Sequence, residues 1–302
     1  MAAGAVARPA AARRRRPRPS RVLRYVILSA GGLLFVAPFL YMVSSSFQPL
    51  SELFSYPPKW IPTHPTLENY TGFFRSGHQI GRWIINSTIT TGAITVAQLF
   101  FCSLMAYTFA KRRFPGRDFL FFLLLATMMF PFQVIVIPNY LILKVIPLFG
   151  GNDLAGVGGH GWLDSYWGII VPNLVNGFGI FLLRQYMKSI PDELLDAARI
   201  DGAGHFRIYW KVILPLSRPA LAALAIFTFQ FWWAAFFWPL IVVSSPQLYT
   251  LPLGLALFQD QNRTVWNLIM AGSVLASLPL IVAFLLFQRQ FVRGISVSGL
   301  KG

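Results

Sequence analysis

The chain has 302 residues, of which 55% are hydrophobic, 16% aromatic and only 12% charged. Soluble chains carry about 25% charged residues, so this composition excludes an ordinary soluble globular protein. The 26 basic residues against 10 acidic ones give a net charge of +16, but they sit between long uncharged runs, which argues against a nucleic-acid binder. One cysteine, Cys102, leaves no intramolecular disulfide, and no Cys/His cluster suits a structural zinc ion.

Residues 1–24, rich in Ala, Arg and Pro, cannot bury a core and read as a disordered basic tail. Such a tail suits anionic lipid near the membrane. The apolar run that follows is longer than a signal-peptide core and lacks an A-x-A site. A helix needs about 20 apolar residues to cross ~30 Å of hydrocarbon. Runs free of Asp, Glu, Lys and Arg extend over Tyr25–Ser51, Trp83–Ala110, Phe119–Leu143, Ser165–Leu183, Pro219–Gln259 and Thr264–Gln288. The fifth holds 41 residues, roughly 60 Å as a helix, and Pro239 with Ser244-Ser245-Pro246 ends its membrane part near Val243. The expected fold is therefore an all-α integral membrane protein with six transmembrane helices. It divides into the tail 1–24, a membrane domain 25–293 and a C-terminal tail 294–302.

With the N-terminus in the cytoplasm, 21 of the 26 basic residues fall in cytoplasmic segments, while the acidic residues divide equally. The positive-inside rule then puts both termini in the cytoplasm. No repeat of 20–50 residues is visible.

No G-x-x-x-x-G-K-[ST] loop occurs. The one G-x-G-x-x-G match, Gly156–Gly161, lies in an outside loop, 150–161, that reads as a flexible Gly-rich insertion. His64, His78, His160 and His205 are too scattered for a metal site or a triad. The spans carry no carboxylate or base of the kind that ion-coupled carriers use on their path. Any driving force is expected from another subunit.

The longest cytoplasmic segment, 184–218, predicts two short amphipathic helices. Ser189 with Asp192 forms a weak capping box, Pro191 suits a first turn, and Gly202 suits the end of a helix reaching about Asp201. Phe206, Tyr209, Trp210 and Ile213 then share one face before Pro215. Within it, Asp196-Ala197-Ala198, three residues, Gly202, nine residues and Val212-Ile213-Leu214-Pro215 resemble the EAA loop of ATP-binding cassette importer permeases. Five of its seven positions are identical, with Asp for Glu at 196 and Val for Ile at 212.

From about Tyr25 onward the chain resembles the second permease subunit of carbohydrate importers, the maltose-permease G-type branch. Pro57-Pro58-Lys59-Trp60-Ile61-Pro62, Thr66-Leu67-Glu68-Asn69-Tyr70, Arg113-Phe114-Pro115-Gly116-Arg117, Phe178-Gly179-Ile180-Phe181-Leu182-Leu183-Arg184-Gln185 and Gly299-Leu300-Lys301-Gly302 carry that likeness. The chain departs from it at Trp233-Ala234-Ala235, where members often have Trp-Asn-x-Phe, and in the 150–161 insertion.

This resemblance implies a multi-pass protein of the bacterial cytoplasmic (inner) membrane that pairs with a second permease as a heterodimer. It also implies two ATPase subunits, which bind ATP and Mg, and an extracytoplasmic solute-binding protein. No cofactor is expected in this chain, which is a transport subunit and not an enzyme. At the coupling loop, Asp196 would meet a donor in the ATPase and Ala197 and Ala198 would allow close approach. Gly202 would set the bend, and Leu214 and Pro215 would complete the motif. Polyamine, peptide or glycerol-phosphate permeases share the loop, and an ion-coupled carrier or a membrane-embedded enzyme are more distant alternatives. Sugars are bound by amides and stacked aromatics, so Gln133, Asn173, Asn176, Gln230, Trp232, Trp233 and Trp238 are candidates for the solute path. The same residues could instead join helices or mark an interfacial belt.

Overall fold

In the computed structural model of the chain, residues 19–259 and 264–298 are described, with side chains for 23–259 and 264–287. Helix α1 (Pro19–Ser46) begins six residues before Tyr25, so residues 19–24 of the expected tail belong to the first helix. Pro19 suits that start, because a first-turn N–H has no helical partner to lose. Residues 1–18 lie outside the described residues, as does the Gly299–Gly302 signature.

Helix α2 (Ile80–Lys111) is unbroken. The third apolar run is not one straight span. Helices α3 (Arg117–Thr127) and α4 (Phe132–Lys144) meet at 100°. Met128-Met129-Phe130 keep the run apolar, so composition hides the turn. Pro131, extended at ψ 137°, caps α4 and has no N–H with which to continue α3.

The fourth run is interrupted as well. A short helix, Tyr166–Ile170, passes through a 3₁₀ turn at Val171–Asn173 before α5 (Gly177–Lys188) begins. Helices α6 (Glu193–Ile200) and α7 (His205–Leu216) form the loop that leads into α8 (Arg218–Trp233), which leaves α7 at 77°. Helix α9 (Phe237–Val242) continues the fifth run, and α10 (Trp266–Ser298) is the last helix, extending into the expected C-terminal tail. Among the described residues four helices are long and apolar enough to cross a membrane, and up to six spans result if each bent pair counts as one.

Helix α2 packs along α5 and α8, and α1 packs along α10. In lipid, close approach rather than apolar burial holds helices together. At Gly254 an added Cβ would sit 2.2 Å from the Trp83 ring. Trp83 and Asn86 of α2 donate to the carbonyls of Pro246, Gln247 and Tyr249, tying the far end of α2 to the segment after α9.

The Gly-rich segment 150–161 is ordered, which corrects the expectation of a flexible insertion. The Asn152 amide donates to the carbonyls of Lys144 (2.7 Å) and Ile146 (3.0 Å) and accepts from Gly159 N–H at 2.8 Å. The Asp153 carboxylate accepts from Ala155 and Val157 N–H. Asn and Asp side chains that bond their own neighbouring backbone replace the missing secondary structure.

Candidate functional site

Where the fourth run unwinds, it opens one wall of a cavity of about 880 Å³, within the usual range for small-molecule sites. Irregular backbone at membrane depth survives only where its polar groups are satisfied or line a cavity. Gln98 of α2, 2% exposed, supplies that satisfaction. Its Nε2 donates to the Asn173 carbonyl at 2.7 Å, and its Oε1 accepts from Thr228 Oγ1 at 2.9 Å and from Asn176 Nδ2. Asn176 Oδ1 in turn accepts from Gly179 N–H and caps α5. An amide at an N-cap removes one of the unpaired donors that every helix start exposes.

Most of the remaining lining is aromatic, with Val175, Ala234 and Ala235 beside it. Phe132, Phe178, Phe227, Phe231, Trp232 and Trp238 surround the polar groups, and among the described residues no charged side chain lines the cavity. Of the candidates read from sequence, Asn173, Asn176, Gln230, Trp232 and Trp238 come together here. Gln133 and Trp233 do not line it. Gln133 is exposed on α4, and Trp233 is buried against α10, with its indole N–H on the Ala276 carbonyl at 2.8 Å. Gln98 and Thr228 also belong to the site, and nothing in the sequence sets them apart from the many other polar residues of the apolar runs.

The 184–218 loop is built differently from its expected capping box. Ser189 Oγ donates back to the Tyr186 carbonyl at 2.7 Å and so closes α5 instead of starting α6. Asp192, whose side chain makes no cap bond, pairs with Lys111 Nζ at 2.6 Å. That hydrogen bond holds the Asp192 carboxyl below the usual carboxylate range.

Helix α6 ends as expected at Gly202, where φ is +76°. Gly202 N–H bonds the Arg199 carbonyl and Ala203 N–H bonds the Ala198 carbonyl, both at 2.9 Å. These two bonds form a Schellman motif, which needs a left-handed residue at that position. Leu195 and Ala198 face the bundle, while Leu194, Asp196, Ala197 and Ile200 are exposed. Among the described residues Asp196 pairs only within its helix, with Arg199 at 2.7 Å.

Helix α7 corrects the single-face expectation. A π-helical stretch, Tyr209–Ile213, resets its register. Tyr209 and Ile213 are buried, and Tyr209 OH meets Ser103 Oγ of α2 at 2.8 Å. Phe206 and Trp210 stack on each other (centroids 6.2 Å apart) on the exposed side. Leu214 is partly buried and Pro215 exposed.

Broken apolar helices around an uncharged, amide- and aromatic-lined cavity, with an ordered loop fixed at one end, define a multi-pass membrane permease. The model of the family described as binding-protein-dependent transport system inner membrane component matches residues 98–297, and the chain belongs to that family. The arabinooligosaccharides transport system permease protein AraQ of Halalkalibacterium halodurans is 34% identical, over 90% of this chain and 95% of its own length. The sn-glycerol-3-phosphate transport system permease protein UgpE of Yersinia pestis is 33% identical, over 90% and 94%. A chain in the crystal structure of a bacterial ABC transporter involved in the import of the acidic polysaccharide alginate shares the fold. Its TM-score is 0.76 at 22% identity, covering 91% of this chain and 98% of that one.

Proposed function

We propose that this chain forms half of the translocation path of an ATP-driven importer for a neutral carbohydrate and couples to a cytoplasmic ATPase through the 189–215 loop. The observation that carries the solute class is the cavity lining. Phosphate recognition favours Arg or Lys for charge-assisted hydrogen bonds, and this lining has neither. Amides for hydroxyls and aromatic faces for the apolar side of a pyranose suit a sugar. AraQ and UgpE differ by one percentage point in identity, so overall likeness leaves the choice to this chemistry.

In this reading α6 and α7 enter a cleft of the ATPase, and the exposed Leu194, Ala197, Ile200, Phe206 and Trp210 meet the partner. ATP and Mg are held by two ATPase subunits, a second permease completes the path, and an extracytoplasmic solute-binding protein delivers the sugar. The loop and both termini face the cytoplasm. The test is uptake of radiolabelled arabinotriose, maltotriose and sn-glycerol 3-phosphate in wild-type and deletion strains, with ATPase co-purification. Loss of trisaccharide uptake on deletion supports the reading. Loss of glycerol 3-phosphate uptake alone overturns the solute class, and purification without an ATPase overturns the coupling.

A further inference from the structure

The polar groups of the cavity fall into two sets. Asn176 and Thr228 both donate to Gln98 Oε1, and the Trp238 indole N–H is given to the Gly168 carbonyl at 3.2 Å. By contrast, the Gln230 amide, the Trp232 indole N–H and the Asn173 Oδ1 line the same cavity with no partner among the described residues. A group already bonded inside the protein must give up that bond to meet a solute, whereas a free one has no such bond to break. Division of labour follows from that difference.

We propose that Gln98 is the positioning residue of the solute cavity. Its one amide fixes the unwound segment 173–176 to α2 and, through Thr228, to α8. Asn173, Gln230 and Trp232 are thereby held facing the solute, and Asn176 serves as a strut and helix cap, not as a ligand. Gln98 also stands on the helix that holds the loop. Ser103 contacts Tyr209, and Lys111 contacts Asp192. With 1.5 Å per residue, the joint and the far loop anchor are about 20 Å apart on one uninterrupted helix. A shift of α2 driven at the loop therefore reaches the residues that hold 173–176 and Thr228 directly.

This inference rests on the importer reading. The experiment uses the assembled importer, purified with its partner subunits and reconstituted in liposomes with its solute-binding protein. Both uptake of radiolabelled arabinotriose or maltotriose and ATP hydrolysis are measured. In Gln98→Leu the loop is untouched, so ATP hydrolysed per trisaccharide moved should rise at least fivefold. Gln98→Asn keeps an amide that both donates and accepts, one methylene shorter, and should raise the ratio less than Gln98→Leu does. Thr228→Val, which removes one bond, should raise the ratio less, and it replaces Gln98→Leu if that variant does not assemble. A parallel fall of uptake and hydrolysis, with the ratio unchanged, means a merely structural role and overturns the proposal for Gln98 alone. A wild-type complex that carries neither trisaccharide overturns the importer reading and this inference with it.

Discussion

Lys111, the last residue of α2, and Asp192, at the start of α6, form an ion pair of 2.6 Å in which the lysine side chain is 4% exposed and the aspartate 74%. Lys111 also donates to the Ile190 carbonyl. A buried ammonium is thus completed by a carboxylate reaching in from the surface, and the loop is fixed where the chain leaves α5.

Replacing the Asp192 carboxylate with an amide keeps an acceptor for the ammonium but takes the negative charge out of the bond, a loss of about 1 kcal/mol. Asp192→Asn should lower the melting temperature of the purified protein at neutral pH. The carboxyl is held below its ordinary value, so its contribution is complete above the usual carboxylate range, about 4, and is lost as pH falls through the lowered value. The gap between wild type and Asp192→Asn should stay constant from pH 8 to 5 and narrow below 4. A gap that closes between pH 7 and 5 refutes the assignment.

Gly202 has φ +76°, and an added Cβ would meet nothing within 4 Å of this chain. Local strain for an L-residue there is about 1–2 kcal/mol. Any larger effect must come from the partner cleft. Gly202→Val should leave membrane abundance within twofold while uptake falls severely. Gly202→Asn separates the causes, because Asn tolerates the left-handed region but still projects a side chain. Uptake near wild type in Gly202→Asn assigns the role to the bend, and loss of uptake assigns it to close approach. Gly81→Ala, where a Cβ also meets nothing within 4 Å, is the silent control.

Much of this fold is legible in the sequence because charge punctuates it. Arg24, Lys111, Asp118, Arg184 and Arg218 bound the apolar runs to within a few residues of the observed helices. What lies inside a run is not legible. The bend at Pro131 and the unwinding at Asn173–Asn176 sit in stretches that are apolar by composition, and each is settled by tertiary partners. Gln98 is one of two amides among 28 uncharged residues, and only its bonds to Asn173, Asn176 and Thr228 reveal its place. Gly202 was readable because a left-handed helix end depends on its own residue. The facing of Phe206 and Trp210 was not, because the π-helical stretch breaks the 3.6-residue period.

Arg112 contacts His205, which puts the turns around Gly116 and Gly204 at one end of the bundle. Asp164 accepts from Ser244 and Ser245 N–H, which gathers the 150–161 segment and the end of α9 at another. Reporter fusions at Gly116 and Gly204 should therefore agree with each other and report cytoplasm. Fusions at Gly77 and Gly156 should report outside, as should one at Gln261, which lies outside the described residues. Opposite answers from Gly116 and Gly204 would contradict the packing itself.

The 150–161 segment offers the sharpest contrast between composition and structure. Six glycines in twelve residues suggest a loose loop, yet Asn152 is 7% exposed and holds three backbone groups. At Gly156, φ is +77° and an added Cβ would lie 2.2 Å from the Val145 carbonyl oxygen, so a side chain there has no room. Asn152→Ala removes three hydrogen bonds, each worth about 0.5–1.5 kcal/mol net, and should release the segment without touching a span. The measurement is limited digestion of right-side-out vesicles by proteinase K. The wild-type segment should resist cleavage, while Asn152→Ala and Gly156→Val should each be cut there at least tenfold faster at unchanged membrane abundance. Rapid cutting of the wild type would restore the flexible-insertion reading, because the bonds made by Asn152 would then be too short-lived to protect the backbone they hold.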